Sequence, residues 1–220
     1  MKTLVIDIGG TNVKVLATGR KGPVKIPSGR DMTPQKMVSA IHSTVPDWRF
    51  DTVSIGYPGP VLKGKAVKEP HNLGRGWVRF DFEKAFGRPV KMINDAAMQA
   101  VGSYESGRML FLGLGTGLGS TLIAENVLMP MELAHLPYRH GRTYEEYVGV
   151  IGLKRLGQKR LGQKRWRKHV DNVIAQLRHA LQADYVVLGG GNSKRIDPLP
   201  PACRLGDNAN AFRGGFRLWR

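Results

Sequence analysis

The chain has little cysteine, few acidic residues and no long apolar segment. Its 220 residues include one cysteine, Cys203, so neither an intrachain disulfide nor a cysteine-based zinc site is expected, and a reducing compartment is favoured. No apolar stretch approaches the roughly 20 residues of a membrane span. The apolar run near the N-terminus breaks at Asp7, too early for a signal peptide. We therefore expect a cytoplasmic protein with no membrane partner.

Acidic residues are also scarce relative to basic ones, at 17 against 34, which gives a formal net charge of +17. Residues 154–168 repeat RLGQK and carry eight Lys or Arg and no acid. Such charge predicts contact with polyanions without specifying which one. Three interpretations of the segment remain open: a solvated helix face frayed by Gly157 and Gly162, a track for a polyanionic substrate, or a nucleic-acid arm. Trp166 is its only aromatic residue, and stacking platforms usually use more.

Short apolar runs alternate with helical patterns along the chain, and the 41% of hydrophobic residues indicates a globular protein. Glycine-rich hairpins near Gly9 and Gly115 suggest two similar α/β halves with a cleft between them. Predicted strands lie at 3–8, 13–18, 24–27, 52–56, 90–93, 109–114, 121–124 and 185–188. Predicted helices lie at 34–44, 82–86, 95–101 and 170–181, with helical pieces in 143–169 and a terminal helix carrying Phe212, Phe216 and Trp219.

The segment DIGGTNVK, residues 7–14, is the first candidate for phosphate binding. Gly9 and Gly10 allow the backbone to approach a ligand, and the N–H groups that follow can point at phosphate oxygens together with the Thr11 hydroxyl. Asp7 could hold a metal through water, and Lys14 adds positive charge. No Walker A pattern is present, and a plain hairpin with a surface lysine is the alternative.

The segment GLGTGLGST, residues 113–121, is a second glycine-rich turn, with Thr116 at its middle. It does not fit the GxGxxG spacing of dinucleotide-binding folds. It fits a second hairpin that cradles phosphate, and the alternative is a flexible turn between two strands. The two hairpins together favour phosphate binding.

Three further segments carry candidate chemistry. Asn94 and Asp95 lie where a strand ends and a helix begins, so Asp95 could either cap that helix or accept a hydroxyl proton during phosphoryl transfer. Glu132 and His135 are three residues apart and could bind neighbouring hydroxyls, although an ordinary core or surface histidine is the simpler interpretation. The glycines at 189–191 follow a buried strand, which permits close approach of a base or phosphate or merely a tight turn.

In this order the segments resemble the ROK sugar kinases, a family with an α/β, actin-like ATPase (ribonuclease H-like) fold of two halves around a central cleft. The resemblance runs from residue 2 to about 215 and favours the zinc-free polyphosphate glucokinase branch. It implies domains at 1–104 with 207–220 and at 105–206. The matching segments are the phosphate motifs at 7–11 and 113–119, the sugar-side loop at 56–59, the pair Asn94 and Asp95, the nucleotide motif at 188–191 and the tail GDNANAFRGG.

The resemblance implies a hexokinase-type phosphotransferase that moves a phosphoryl group from polyphosphate or ATP to the 6-hydroxyl of glucose. Asp95 would be the general base, and Mg²⁺ would lie near Asp7. Implied sugar-binding residues are Asn94, Asp95, Glu132, His135, Glu145, Pro58 and Gly59. Implied phosphate- or nucleotide-binding residues are Gly9, Gly10, Thr11, Asn12, Lys14, Gly115, Thr116, Gly117, Gly189, Gly190 and Gly191.

The sequence departs from the family pattern in two places. Ala134 stands where the family usually has glycine between the sugar-binding Glu and His. The cysteine-rich zinc loop of many members is absent, so no zinc is expected.

A homodimer is the family default. The alternatives are an ATP-dependent kinase for fructose, mannose or an N-acylated hexosamine, and a nucleic-acid-binding protein on a degenerate kinase fold.

Overall fold

The computed structural model describes residues 1–156, 160–207 and 209–220, with Arg160 described by its backbone alone. The chain divides into two compact units: unit 1 contains residues 1–98 and 211–220, and unit 2 contains residues 99–210. The domains predicted from the sequence, 1–104 with 207–220 and 105–206, stay a prediction. Gly157, Gln158 and Lys159 of the first RLGQK copy lie outside the described residues, as does Asn208 of the tail.

Strands and helices alternate along the chain. The strands are β1 (Thr3–Ile8), β2 (Asn12–Ala17), β3 (Val24–Pro27), β4 (Thr52–Tyr57), β5 (Val61–Leu62), β6 (Lys65–Ala66), β7 (Val90–Asn94), β8 (Arg108–Leu114), β9 (Leu118–Ala124), β10 (Val127–Met131), β11 (Pro137–Arg139), β12 (Arg142–Thr143), β13 (Tyr185–Gly189) and β14 (Cys203–Leu205). The α-helices are α1 (Pro34–Thr44), α2 (Phe82–Phe86), α3 (Asp95–Ser103), α4 (Tyr144–Val148), α5 (Val150–Leu156), α6 (Arg160–Ala180) and α7 (Asn210–Arg217). None of these helices combines the length and apolar character needed to cross a bilayer.

Each unit is built on a five-stranded sheet, and the two sheets share one strand order. In unit 1 the order is β3-β2-β1-β4-β7, and in unit 2 it is β10-β9-β8-β13-β14. In both sheets the first three strands along the chain form an antiparallel meander. The fourth strand then pairs in parallel with the first, and the fifth pairs in parallel with the fourth. The prediction of two similar units built around glycine hairpins is therefore correct at the level of topology.

The core of unit 1 explains why β1 is an unbroken apolar run. Leu4 and Ile6 on one face pack with the residues of α1 and α2. Val5 on the other face packs with Met98 and with Phe212 of α7. A strand that is covered on both faces has no solvent side to mark with polar residues, so it reads as a continuous apolar stretch.

Unit 2 corrects the predicted start of its long helix. The predicted helix covered 170–181, but α6 begins at Arg160, so the second RLGQK copy and the amphipathic segment form one helix. Trp166, Val170 and Val173 are at most 1% exposed and face the core at helical spacing. Gly162, expected to fray the helix, is buried within its first turn. The long basic side chains between these positions hid the apolar stripe from the sequence pattern.

The glycine-rich turn of unit 2 is also shorter than predicted. The strands predicted at 109–114 and 121–124 left residues 115–120 for the turn, but only Gly115, Thr116 and Gly117 form it, because β9 begins at Leu118. Alternating glycines can stay in strand conformation when backbone hydrogen bonds to the neighbouring strands on both sides are made. The remaining candidate ligand-binding turn is therefore a compact three-residue loop.

Candidate active site

The first glycine turn, in unit 1, is held closed by its own backbone. The Gly9 N–H donates to the Asn12 carbonyl at 3.0 Å, and the Ser28 hydroxyl donates to the Gly9 carbonyl at 2.6 Å. A Cβ at Gly9 would lie 2.8 Å from the Asn12 oxygen, so this close turn needs glycine. Thr11 is exposed at the tip. The turn thus presents Gly10 and Thr11 to solvent, where a phosphate could reach them.

Asp7 and Lys14 face each other across the β1–β2 pair. The Lys14 Nζ donates to the Asp7 Oδ2 at 3.1 Å, and the Asp7 side chain is 14% exposed. The positive charge expected from Lys14 is thus partly offset by the Asp7 carboxylate. A carboxylate that is partly exposed at a strand end fits a Mg²⁺ ion held mainly by water and phosphate oxygens, which is the usual way this ion is bound beside phosphates. Among the described residues, no group of three or more His, Cys, Asp or Glu could hold a metal ion.

Asn94 ties the predicted sugar-side loop to the start of α3. Its Nδ2 donates to the Gly59 carbonyl at 3.1 Å. Its Oδ1 accepts from the N–H groups of Ala96 at 2.9 Å and Ala97 at 3.2 Å. Asn94 therefore fills the helix-capping role that the sequence left open for Asp95.

Asp95 is the first residue of α3 and is half-buried. Its Oδ1 accepts from the Ala96 N–H at 2.7 Å. The amino end of a helix favours a negative charge, because the unpaired N–H groups carry partial positive charge there. The carboxylate is consequently held in a fixed orientation at a strand-to-helix junction, as a general base requires.

Two hydrogen bonds anchor the sugar-side loop. The Gly59 N–H donates to the Tyr57 carbonyl at 2.9 Å, and the Tyr57 hydroxyl donates to the Lys68 carbonyl at 2.7 Å. Burial, with a smaller contribution from Glu69, raises the pKa of the Tyr57 hydroxyl. Pro58 lies between these anchored positions. Tyr57 is missing from the sequence-based set of site residues, and it acts as the support beneath Pro58 and Gly59.

In unit 2 the second and third glycine segments are joined to each other. The Asn192 N–H donates to the Leu114 carbonyl at 2.9 Å, and the Asn192 Nδ2 donates to the Gly115 carbonyl at 3.2 Å. Gly190 has a φ of +80°, and a Cβ there would lie 2.5 Å from the Leu114 oxygen. Two segments predicted separately from the sequence thus form one glycine junction, which we define as Gly115–Gly117 with 189–192.

A cavity of about 460 Å³ opens beside this glycine junction. Its lining mixes glycine backbone with a few polar side chains: Gln99, Gly189, Gly190, Gly191, Ser193, Lys194, Leu205, Gly206 and Asp207. Asn192, Lys194 and Asp207 were not among the sequence-predicted site residues. The only sequence signal for them was their position beside glycine-rich stretches.

Glu145 lies against the glycine turn of unit 2. Its Oε2 accepts from the Leu118 N–H at 3.1 Å, and a Cβ at Gly117 would lie 2.0 Å from the same oxygen. In this structure the carboxylate predicted to bind sugar therefore fixes the end of the phosphate-type turn. Glycine at 117 is needed for that approach.

Glu132 and His135 are both exposed; Glu132 precedes a short 3₁₀ turn at Leu133–His135, and His135 is its last residue. The Ser120 hydroxyl anchors this turn, because it accepts from the Leu133 N–H at 3.1 Å and donates to the Met131 carbonyl at 2.9 Å. Ala134, the departure from the family pattern, is 3% exposed and packs in the core. The extra methyl is thus directed inwards, and both polar side chains stay accessible.

The structure therefore places the predicted residues in two groups, those of unit 1 and those of unit 2, and each group contains two separate clusters. Unit 1 groups the first glycine turn with Asp7 and Lys14, and separately Asn94 and Asp95 with Gly59. Unit 2 groups the glycine junction with Glu145 and holds Glu132 and His135 on the turn anchored to β9. The arrangement of both groups around one central cleft stays a prediction.

Comparison with known proteins decides the family. Residues 3–130 match the model of the ROK family. The chain belongs to the ROK family. It is 26% identical over 217 residues to a polyphosphate glucokinase of Mycobacterium tuberculosis, covering 89% of this chain and 80% of that protein. It is 29% identical over 145 residues to an N-acetylmannosamine kinase of Escherichia coli O157:H7, covering 59% of this chain and 50% of that protein.

A solved structure supports the fold. The polyphosphate/ATP-glucomannokinase of Arthrobacter sp. strain KM matches with a TM-score of 0.79 at 24% identity, covering 100% of this chain and 99% of that one. The predicted actin-like ATPase fold is confirmed. The family match together with the similarity to named kinases over 89% of the chain identifies a sugar kinase, and the predicted class of hexokinase-type phosphotransferase is confirmed as well.

Proposed function

We propose that this ROK family kinase transfers a phosphoryl group from polyphosphate or ATP to the 6-hydroxyl of glucose. The observation that carries the proposal is the glycine junction of unit 2, where Asn192 fixes the turn at Gly115 beside a cavity of about 460 Å³. Backbone N–H groups in such turns bind phosphate oxygens without a dedicated side chain. The similarity to a polyphosphate glucokinase supports glucose and polyphosphate as the substrates.

Asp95 is the proposed general base. It would accept the proton of the attacking hydroxyl, and the other sugar contacts would come from Asn94, Glu132, His135, Glu145, Pro58 and Gly59. The fixed orientation of Asp95 at the amino end of α3 supports this role. General-base assistance of this kind contributes about 10²–10⁴-fold to a rate.

The donor phosphates would lie on the glycine segments. Their proposed contacts are Gly9, Gly10, Thr11, Asn12, Lys14, Gly115, Thr116, Gly117, Gly189, Gly190 and Gly191. Mg²⁺, when bound, would offset the negative charge of the phosphates, and Asp7 would hold it through water. Closure over the sugar would exclude water, which otherwise competes with the sugar as nucleophile.

Two alternatives differ in substrate or in class. The similarity to an N-acetylmannosamine kinase favours a second candidate, an ATP-dependent kinase for another hexose. The nucleic-acid-binding alternative loses support because Trp166, the aromatic residue of the basic segment, is 1% exposed and donates its Nε1–H to the Val148 carbonyl at 3.0 Å. A ring buried in this way offers no face for a base to stack on.

A matrix of donors and sugars tests the proposal. The purified protein is incubated with Mg²⁺, with polyphosphate or ATP as donor, and with glucose, mannose, fructose or N-acetylmannosamine as acceptor. We expect glucose 6-phosphate as the main product. A preference for N-acetylmannosamine with ATP would establish the second candidate, and no sugar phosphate from any pair would contradict the proposal.

A further inference from the structure

Unit 2 carries a cluster of aromatic and basic side chains outside the glycine junction. Tyr138 of β11 packs against Tyr147 of α4 at 5.0 Å between ring centroids, and both rings contact His169 of α6. The Tyr138 hydroxyl and the His169 Nδ1 are 3.2 Å apart. Arg139 lies over the Tyr138 ring at 5.2 Å, and Arg155 of α5 lies over the Tyr147 ring at 4.4 Å. We call these five residues the arginine–tyrosine patch.

The positive charges of Arg139 and Arg155 converge on one imidazole, that of His169. Burial lowers the pKa of His169, and the charges of Arg139 and Arg155 lower it further, so both guanidinium groups act on the same imidazole. Among the described residues, neither arginine forms an ion pair with a carboxylate. The nearby Glu146 carboxylate accepts from the Thr143 N–H at 2.8 Å within a capping box. The hydrogen bonds from Thr143 and, less strongly, the charges of Arg142 and Arg155 lower the pKa of Glu146, so this carboxylate offsets part of the Arg155 charge without forming an ion pair.

The rest of the basic segment adds charge on the same helix. Arg165 and Lys168 of α6 are exposed and lie four and one residues before His169. Arg167 is committed elsewhere, since its guanidinium donates to the carbonyls of Asp197 and Pro198 and pairs with Asp171 at 3.5 Å. Arg139 and Arg155 rest on aromatic faces instead, an arrangement that leaves the N–H edges of a guanidinium open to a phosphate.

One short helix joins the patch to the glycine junction. Glu145, in the first turn of α4, contacts Gly117 and Leu118, and Tyr147 of the same helix is part of the patch. Five residues of α-helix rise about 7.5 Å. The glycine junction and the patch therefore contact the same short helix.

We propose that the arginine–tyrosine patch is a secondary binding surface for the polyphosphate donor, holding the part of the chain outside the glycine junction. This inference rests on the proposed function, because it assumes polyphosphate as a donor. Guanidinium groups bind phosphate oxygens in pairs, and several of them along one path favour a repeating polyanion over a single nucleotide. The rings are packed against one another, with Tyr147 7% exposed, so they support the arginines and do not offer faces to nucleic-acid bases.

The test is a double substitution, Arg139→Gln with Arg155→Gln. The matched control is Arg20→Gln with Arg49→Gln in unit 1, which removes the same charge from exposed positions and likewise takes an arginine from an aromatic ring, that of Trp48. Initial rates are measured with polyphosphate and with ATP over a range of salt. Binding of fluorescently labelled polyphosphate is measured separately, without sugar.

The patch variant should raise the KM for polyphosphate on the order of tenfold and leave the KM for ATP unchanged. The logarithm of the affinity for polyphosphate decreases linearly with the logarithm of the salt concentration. The steepness of that line should decrease by about two, one for each lost phosphate contact. The control variant should change neither the KM for polyphosphate nor the salt dependence of its binding by more than about twofold. Equal effects of the two variants, or equal losses with both donors, would overturn the proposal.

The binding measurement separates failure of the patch from failure of the proposed function. If no donor supports turnover but labelled polyphosphate binds and the patch variant weakens that binding, the binding surface is supported and the proposed reaction is contradicted. If polyphosphate drives turnover and the patch variant binds and reacts as the wild type does, the binding surface is contradicted and the proposed reaction is supported. Tighter binding of single-stranded RNA than of polyphosphate at equal charge would overturn the assignment of the ligand.

Discussion

At the scale of single residues, Glu145 is the least expected finding. Its carboxylate accepts from the Leu118 N–H, from 27 positions away along the chain. The family resemblance predicted a sugar contact at this residue, and no local sequence pattern signals a hydrogen bond to a distant backbone group. The contact indicates that Glu145 also fixes the end of the glycine turn.

Substitution of Glu145 should therefore affect stability as well as catalysis. Glu145→Ala leaves the Leu118 N–H, on a buried residue, without its acceptor, and we expect a loss of about 1–3 kcal/mol in the free energy of unfolding. Glu145→Gln keeps an acceptor oxygen and should lose less than half of that. Urea denaturation followed by circular dichroism measures both.

The control is Glu105→Ala, also in unit 2. Its carboxylate pairs with Arg204 at 2.8 Å, but its side chain is 71% exposed. A surface ion pair of this kind is worth about 0–1 kcal/mol. If Glu105→Ala were as destabilising as Glu145→Ala, the hydrogen bond to Leu118 would not be structurally important.

At the scale of elements, glycines that look equivalent in the sequence differ in their surroundings. Gly190 and Gly191 are neighbours in the triplet after β13. Gly190 has a positive φ and lies against the Leu114 carbonyl, whereas a Cβ at Gly191 would meet nothing within 4 Å. The first glycine is required by the fold, and the second leaves open space beside the cavity.

This difference yields a paired prediction. Gly190→Ala should cost more than about 1 kcal/mol of stability, because alanine is disfavoured at that φ and its methyl would clash with a carbonyl. Gly191→Ala should fold as the wild type does and, if donor phosphates approach this segment closely, should raise the KM for the donor. Thermal unfolding and initial-rate measurements on both variants check the pair.

Two results would contradict it. Equal melting temperatures for Gly190→Ala and the wild type would show that the junction tolerates a side chain at 190. An unchanged donor KM in a folded Gly191→Ala variant would exclude close donor approach at that glycine.

The predictability of each element depended on the range of its interactions. Buried strands such as β1 and β4 and the hairpin at Gly9 follow from local apolar runs and turn residues, so their bounds could be predicted closely. The start of α6 could not, because Trp166 and Val170 are separated by basic residues whose long side chains mask the buried stripe. The two- and three-residue strands β5, β6, β11, β12 and β14 carry too few residues to produce a pattern.

At the scale of the whole molecule, the shared strand order of the two sheets is the strongest structural result. The sequence indicated two units through two glycine hairpins, and the same five-strand order in each unit agrees with that interpretation. The site within each unit was partly predictable, since glycines and carboxylates at strand ends were recognised. The supporting residues Asn192, Lys194 and Asp207 were not, because their roles arise only when distant segments meet.

The net charge of +17 is also a property of the whole molecule. A protein with this excess will attract polyanions in general, and the attraction weakens as salt rises. What distinguishes a substrate from a nonspecific polyanion is turnover, so catalytic measurements carry more weight here than binding alone.

The most direct test of the proposed mechanism is the turnover number of Asp95→Asn with glucose. The donor is polyphosphate or ATP, whichever the wild type uses better. Asparagine can accept the same hydrogen bond from Ala96, so the fold should be kept, and Asp47→Asn, at an exposed position in unit 1, is the matched control. We predict a fall of about 10²–10⁴-fold in kcat for Asp95→Asn and none for Asp47→Asn. A folded Asp95→Asn enzyme that kept a near-normal kcat would contradict the proposed mechanism.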